Sequence, residues 1–171
     1  MKNKIFLFSI LSFFITFSLV ADEYNFEVSK IKISQKGNVI NAYNGEVIYK
    51  NQDLKIFAEE FVYLKDKDSL SAFNGEVFLK KKNNKIKFKK IKIINKEIIE
   101  ASNGIIIKDI KNSLDIEGEQ IIIDRINNIL TASDGVKIKD SKNKLEINAK
   151  KIILNRNNNI LTASDGVKIN D

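Results

Sequence analysis

Few side chains in this 171-residue chain could do chemistry. The sequence contains neither Cys nor His. This excludes thiol nucleophiles, disulfides, Ser-His-Asp triads and metal sites of the usual nitrogen and sulfur type. A catalyst would have to use carboxylates, hydroxyls, Lys or Tyr.

Two carboxylate pairs are the candidates for acid-base work or cation binding. Glu59 and Glu60 are adjacent, so in a strand we expect them on opposite faces. Glu117 and Glu119 flank Gly118 and would share a face, but no third ligand recurs with them. A glycan-cleaving β-helix would need acids clustered on one face. The sequence therefore predicts no enzyme, no catalytic residue, no metal site and no cofactor.

A dense basic stretch offers a different chemistry. Its lysines alternate with Ile86 and Phe88, which gives one strand an apolar and a cationic face. One interpretation places these ammonium groups beside anionic lipid headgroups, and the other makes them a solvated outer face that discourages wrong strand pairing. Nucleic-acid binding is disfavoured, because the net charge is only +7 and the aromatic spacing fits strand packing. The lysines are Lys80, Lys81, Lys82, Lys85, Lys87, Lys89, Lys90 and Lys92.

The N-terminal segment has the pattern of an export signal. Lys2 and Lys4 precede an apolar run at 5–20, and Ala21 stands before the polar Asp22. We predict a secretory signal peptide at residues 1–21 and one domain at 22–171. The apolar run is shorter than the roughly 20 residues that span a bilayer. A retained inner-membrane anchor is the alternative.

The remainder is a sequence repeat. Residues 127–138 and 158–169 both read NNILTASDGVKI, and weaker copies precede them. Each copy carries an Asn-Gly or Asp-Gly pair, and the glycines are about 30 residues apart. A fixed period of this length indicates stacked supersecondary units. The repeated glycines are Gly45, Gly75, Gly104, Gly135 and Gly166.

Apolar and polar residues alternate within each copy, which predicts strands, and Asn-rich clusters between them predict turns. We expect two strands and two short turns per repeat, about ten antiparallel strands in all, and essentially no helix after Ala21. The paired glycine falls inside a strand, so we interpret it as a bulge or bend, helped by the small Ala three positions earlier. An ordinary type I′ turn is the alternative.

A bend at one height in every strand would crease the sheet into two facing leaves, open along one side, with an apolar interior. This interior would be either a ligand groove or simply the core of a sandwich or solenoid. The residues predicted to line it are Val47, Leu54, Ile56, Val77, Leu79, Ile86, Phe88, Ile105, Ile107, Leu114, Ile116, Val136, Ile138, Leu145 and Ile147.

An export signal followed by repeats of the form L-x-I-x-A, a turn and A-x-x-G-x-V resembles the OstA-like domain of the lipopolysaccharide transport proteins. The resemblance runs from about Phe26 to Ile169. It implies an antiparallel β-jellyroll, or β-taco, whose cleft holds the acyl chains of lipopolysaccharide in the periplasm. The length favours a stand-alone LptA-like protein, and the N-terminal periplasmic domain of a truncated LptD-like outer-membrane assembly protein is the alternative. The basic stretch would then lie near lipid A phosphates.

The last strand, with Val167 and Ile169, is predicted to have an unpaired edge, and such edges recruit other strands. The resemblance implies that LptC-like and LptD-like proteins, or further copies of this chain joined head to tail, add there. A truncated chain with an artificial edge is the alternative.

Overall fold

The computed structural model describes residues 17–20, 24–49, 54–79, 84–110 and 112–170, and almost all of them lie in β-strands. The signal peptide predicted at 1–21 lies outside these residues, except for Phe17–Val20, which form a strand. Lys80, Lys81 and Lys82 of the basic stretch also lie outside them.

All twelve described strands belong to one antiparallel sheet. Neighbours in the chain are neighbours in the sheet from β1 to β11, and β12 pairs with β10 beside β11. The strands are β1 (Phe17–Val20), β2 (Tyr24–Ser34), β3 (Val39–Tyr49), β4 (Leu54–Leu64), β5 (Ser69–Leu79), β6 (Asn84–Ile94), β7 (Ile98–Asp109), β8 (Leu114–Asp124), β9 (Ile129–Asp140), β10 (Leu145–Asn155), β11 (Ile160–Ser164) and β12 (Lys168–Asn170).

The repeat region therefore supplies ten strand positions, as expected. Nine are the continuous strands β2 to β10, and the tenth is divided between β11 and β12. The helical content of the described residues is limited to short 3₁₀ turns at Gln35–Gly37 and Lys65–Lys67. Within that part of the chain, no helix has the length and apolarity to cross a membrane.

Burial alternates along each strand from β2 to β10 but skips one residue in the middle. In β2, Tyr24, Phe26 and Val28 are buried, Ser29 and Lys30 are both exposed, and Ile31 packs against the core. The even-numbered strands from β2 to β10 all carry two consecutive polar residues at this point. These are Ser29 and Lys30, Glu59 and Glu60, Lys89 and Lys90, Glu119 and Gln120, and Lys150 and Lys151.

The skips align across the sheet, since each lies opposite the Asn-Gly or Asp-Gly pair of a neighbouring strand. We call this line the crease, and the two halves of the sheet the first and second leaf. The first leaf contains 24–28, 45–49, 54–58, 75–79, 84–88, 105–109, 114–118, 136–140, 145–149 and β12. The second contains 30–34, 39–43, 60–64, 69–73, 90–94, 98–102, 120–124, 129–133, 151–155 and β11.

Turns at the free rim of the second leaf are joined to one another by backbone hydrogen bonds. The Lys65 N–H donates to the Asn38 carbonyl (2.8 Å), and the Arg125 N–H donates to the Glu97 carbonyl (2.9 Å). The Arg156 N–H donates to the Asn128 carbonyl (3.0 Å) in the same way. These bonds satisfy backbone N–H and C=O groups in the turns that have no partner in a neighbouring strand. They also extend the hydrogen-bond ladder of the sheet to the rim.

Candidate functional site

The fifteen residues predicted to line the interior all lie on the inner face of the first leaf. Twelve are buried, and Leu79, Leu114 and Leu145 are partly buried against the same core cluster. Val47, Ile56 and Val77 have no measurable exposure. Apolar side chains thus form a continuous wall across the strands from β3 to β10.

The second leaf supplies an equivalent inner wall, which sequence reasoning missed. The sequence predicts its small members at the crease, such as Ala42 and Ala132, only as residues that let backbones approach. The two consecutive polar residues in the even-numbered strands mark the point where the alternation of apolar and polar residues shifts by one position. This shift is the sequence signal that could have located the second wall. Its buried residues are Ile40, Ala42, Phe61, Tyr63, Leu70, Ala72, Ile91, Ile93, Ile99, Ala101, Ile121, Leu130, Ala132 and Ile152.

The two leaves face each other and are staggered along the sheet. The ring of Tyr24 on β2 of the first leaf lies 5.1 Å from that of Tyr63 on β4 of the second. Near the other end, Arg156 Nη2, after β10 of the second leaf, lies 3.9 Å from Asp109 Oδ2 at the end of β7 of the first. A first-leaf strand is therefore opposite a second-leaf strand two or three positions later.

These two contacts join the free rims of the leaves, which we call the mouth. The polar residues of the first leaf's inner face that are buried also lie at this rim, namely Tyr24, Tyr49, Asn84 and Asp109. Deeper in, the buried inner side chains are aliphatic or aromatic. The interior is thus apolar, filled by contact between the walls, and bordered by polar groups at the mouth.

The stagger leaves one inner face uncovered at each end of the sheet. At the N-terminal end it is the second leaf, where Ile33 is 49% exposed. At the C-terminal end it is the first leaf, where Ile169 is 62% exposed and Val167 is 42% exposed. The two residues of the predicted edge strand therefore present apolar side chains to solvent.

Four of the repeated glycines lie inside strands, whereas Gly166 lies in the bend between β11 and β12, so its predicted position inside a strand is wrong. The glycines form two groups. In the last three copies Gly104, Gly135 and Gly166 have positive φ, and the pairing register shifts by one residue at each of them. Gly45 and Gly75 cause no register shift. At Gly45 a Cβ would overlap the Glu27 carbonyl oxygen and lie 2.6 Å from the Cα of Val28, so only hydrogen fits there.

The carboxylate pairs lie outside the interior. Ala58 and Phe61 both pack in the core although they are three residues apart, so neither Glu59 nor Glu60 faces the interior, and the expected placement on opposite faces is wrong. Glu117 and Glu119 do share an exposed face. Glu59 Oε2 accepts from Asn74 Nδ2 (2.8 Å), and Glu119 Oε2 accepts from the Gly104 N–H (3.1 Å). Glu59 and Glu119 therefore accept hydrogen bonds that stabilise the crease. In the described ranges no three His, Cys, Asp or Glu residues are grouped to hold a metal ion.

Most lysines in the described part of the basic stretch contact an acidic or aromatic side chain on the outer face of the sheet. Lys85 Nζ lies 2.6 Å and Lys87 Nζ 3.5 Å from the Glu76 carboxylate. These lysines hold the pKa of Glu76 below its usual range. Lys90 lies over the Phe73 ring at 6.0 Å. Both observations favour the solvated-face interpretation of these residues.

An aromatic and basic cluster occupies the mouth near the N-terminal end. The rings of Tyr24 and Tyr49 are 5.4 Å apart, and Tyr63 packs on Tyr24 from the other leaf. Burial raises the pKa of the Tyr24 phenol well above its ordinary value. Partial burial lowers the pKa of Arg125, which interacts electrostatically with Tyr49 and Tyr24.

No protein-family model matches the chain, and no curated protein matches it in sequence. In structure, the chain is similar to LptH from Pseudomonas aeruginosa, described as the LptA-homologous periplasmic component of the lipopolysaccharide transport device. The TM-score is 0.63 at 11% identity, over 71% of this chain and 96% of that one. The chain therefore shares the β-jellyroll fold of an LptA-like protein.

Proposed function

We propose that this chain is an LptA-like periplasmic protein that shields the acyl chains of lipopolysaccharide between its two leaves. The supporting observation is a single folded sheet, apolar on both inner walls and polar at its mouth. An amphiphile with several chains requires this distribution, because its hydrocarbon must leave water while its headgroup stays hydrated. Similarity to LptH in fold agrees with this assignment.

Shielding needs no covalent step. Each buried CH₂ contributes about 0.8 kcal/mol, so a twelve-carbon chain gains roughly 10 kcal/mol before other terms. The walls already touch, so the chains must replace contacts between leaves. The leaves would therefore separate at the mouth as lipid enters.

Site-specific photo-crosslinking tests this proposal. A photoreactive residue at Ile116 on the first leaf or Ile121 on the second should form adducts with lipopolysaccharide, since both are 1% exposed and point inward. The matched control is Ile122, which neighbours Ile121 on β8 and is 44% exposed. Labelling from Ile122 and from Lys87, without labelling from the inner sites, would show that the interior is only a structural core.

We further propose that LptC-like and LptD-like proteins, or further copies of this chain, add strands at the sheet's ends. The support is the exposed apolar Val167 and Ile169 at the C-terminal end. Ile169→Lys should weaken association in sedimentation experiments. Ile126→Lys, at a 61% exposed turn position, is the matched control. Equal effects of the two substitutions would assign association to another surface.

A further inference from the structure

Three tyrosines lie at the mouth near the N-terminal end of the sheet. Tyr24 and Tyr49 are cross-strand partners at the rim of the first leaf and are 1% and 7% exposed. Their side chains are thus nine-tenths buried, although each carries a hydroxyl. Tyr63, 5% exposed, approaches from the second leaf.

The hydroxyls of this cluster are not equally satisfied. The Tyr63 hydroxyl donates to Asp68 Oδ1 at 3.4 Å. Among the described residues, the Tyr24 and Tyr49 hydroxyls have no hydrogen-bond partner. Buried hydroxyls are nearly always paired, so two unpaired ones at the same rim indicate donors available to a ligand.

Arg125 supplies positive charge near these tyrosines, since contacts through Lys96, Asp68 and Tyr63 connect it to Tyr24. It also interacts electrostatically with Tyr49 and Tyr24. Its Nη1 donates to the Lys96 carbonyl at 2.8 Å. Within the described ranges, no carboxylate lies within ion-pair distance of its guanidinium. The nearby Asp68 is engaged by Lys96 Nζ at 3.2 Å and by Tyr63. Arg156, the corresponding residue of the next repeat, does have a carboxylate, that of Asp109.

A partly buried guanidinium retains several unused donors in a planar fork, which matches the oxygens of a phosphate. Phenol donors from the opposite leaf would complete the coordination. We propose that Tyr24, Tyr49 and Arg125 form a phosphate-binding site across the mouth. This inference rests on the proposed carrier function for one part only, namely that the phosphate belongs to the headgroup of the carried lipid.

The test compares three probes: phosphorylated lipid A, the same lipid after phosphatase treatment, and inorganic phosphate. Binding can be followed by isothermal titration calorimetry, which does not depend on the tyrosines that the variants replace. Wild type should bind the phosphorylated lipid about tenfold to hundredfold more tightly than the dephosphorylated lipid, as expected for charge-assisted hydrogen bonds. Arg125→Gln should remove most of this preference, and Tyr24→Phe with Tyr49→Phe should reduce it. Arg156→Gln should keep it.

Equal affinity of wild type for the two lipids, unchanged in Arg125→Gln, would overturn the phosphate site. Lipid adducts at Ile116 would still support the carrier in that case. Conversely, inorganic phosphate that binds wild type but not Arg125→Gln, with no binding of either lipid, would support the site and refute the carrier. Circular dichroism of each variant establishes that the β fold is retained.

Discussion

Glycine serves two purposes at one position of this repeat. At Gly45 and Gly75 it allows adjacent backbones to approach, since a Cβ at Gly75 would lie 2.9 Å from the Cα of Ala58. At Gly104, Gly135 and Gly166 a Cβ would meet nothing within 4 Å, and positive φ is the requirement instead. The sequence motif is shared, but the physical constraint changes between the second and third copies.

Alanine substitution should separate these two constraints. Gly45→Ala forces backbone apart and should lower the free energy of unfolding by about 3 kcal/mol. Gly135→Ala has open space and only places an L-residue in the left-handed region, which costs about 1–2 kcal/mol. Urea unfolding of both variants measures the difference. A larger loss for Gly135→Ala would contradict the distinction.

Aspartates close several turns by accepting hydrogen bonds from an Asn three residues later. Asp124 accepts from the Asn127 N–H (2.9 Å) and Nδ2 (2.8 Å), and Asp140 accepts likewise from Asn143. These bonds hold the pKa of both carboxyls below the ordinary range. A depressed folded-state pKa adds stability that is present above the unfolded pKa of about 3.9 and is lost as pH falls through the folded value.

The chain should therefore lose stability in acid, and these turns should contribute to the loss. Below about pH 4 the unfolded chain binds more protons at Asp124 and Asp140 than the folded chain does. The free energy of unfolding therefore decreases as the pH is lowered. The double variant Asp124→Asn, Asp140→Asn should show a smaller decrease between pH 6 and pH 3 in urea titrations. An identical decrease in wild type and variant would exclude these carboxyls as contributors.

At the scale of elements, period-two alternation was enough to predict the strands, their order and the first inner wall. The repeat also predicted a glycine inside a strand in each copy, which the structure shows for four copies and not for Gly166, between β11 and β12. Alternation that starts from the turns at the first-leaf rim does not predict the second wall. Two adjacent polar residues, such as Lys89 and Lys90, reset its phase. The stagger of the two leaves and the contacts across the mouth depend on the twist of the sheet and on pairs of residues that are distant in sequence. Local sequence patterns do not encode either of these.

The second wall can be tested with neighbouring residues of one strand. Ile121 is 1% exposed and Ile122 is 44% exposed on β8. Ile121→Ala should lower the free energy of unfolding by about 2–5 kcal/mol, because it leaves a cavity in the core. Ile122→Ala should change it by about 1 kcal/mol or less, since the side chain already faces water. Chemical denaturation measures both, and similar losses would indicate that Ile121 does not face the interior.

At the scale of the whole molecule, contacts between the described residues hold the rims of the two leaves together along the mouth. The Arg156 and Asp109 pair and the contact of Tyr24 with Tyr63 join the rims. An ion pair with a partly exposed partner contributes about 1 kcal/mol or less, which allows the rims to separate. The crease, by contrast, is continuous hydrogen-bonded sheet and should act as the fixed side.

Linking the rims covalently should therefore abolish lipid uptake by the proposed carrier. Asp109→Cys with Arg156→Cys introduces the sole two thiols of the chain, which a short bis-maleimide can join. We expect the linked protein to lose lipid adducts at Ile116 and the unlinked double variant to retain them. Single-cysteine variants treated with the same reagent are controls. Undiminished labelling of the linked protein would show that lipid enters elsewhere.

The stagger also gives the molecule a direction. Ile33 is uncovered on one leaf at the start of the sheet, and Ile169 is uncovered on the other leaf at its finish. In the proposed head-to-tail association, the finish of one copy meets the start of the next. Such a contact is heterologous, and a row built from it leaves one uncovered apolar surface at each of its two ends. In that assembly, a different protein that matches one surface and lacks the other would end the row.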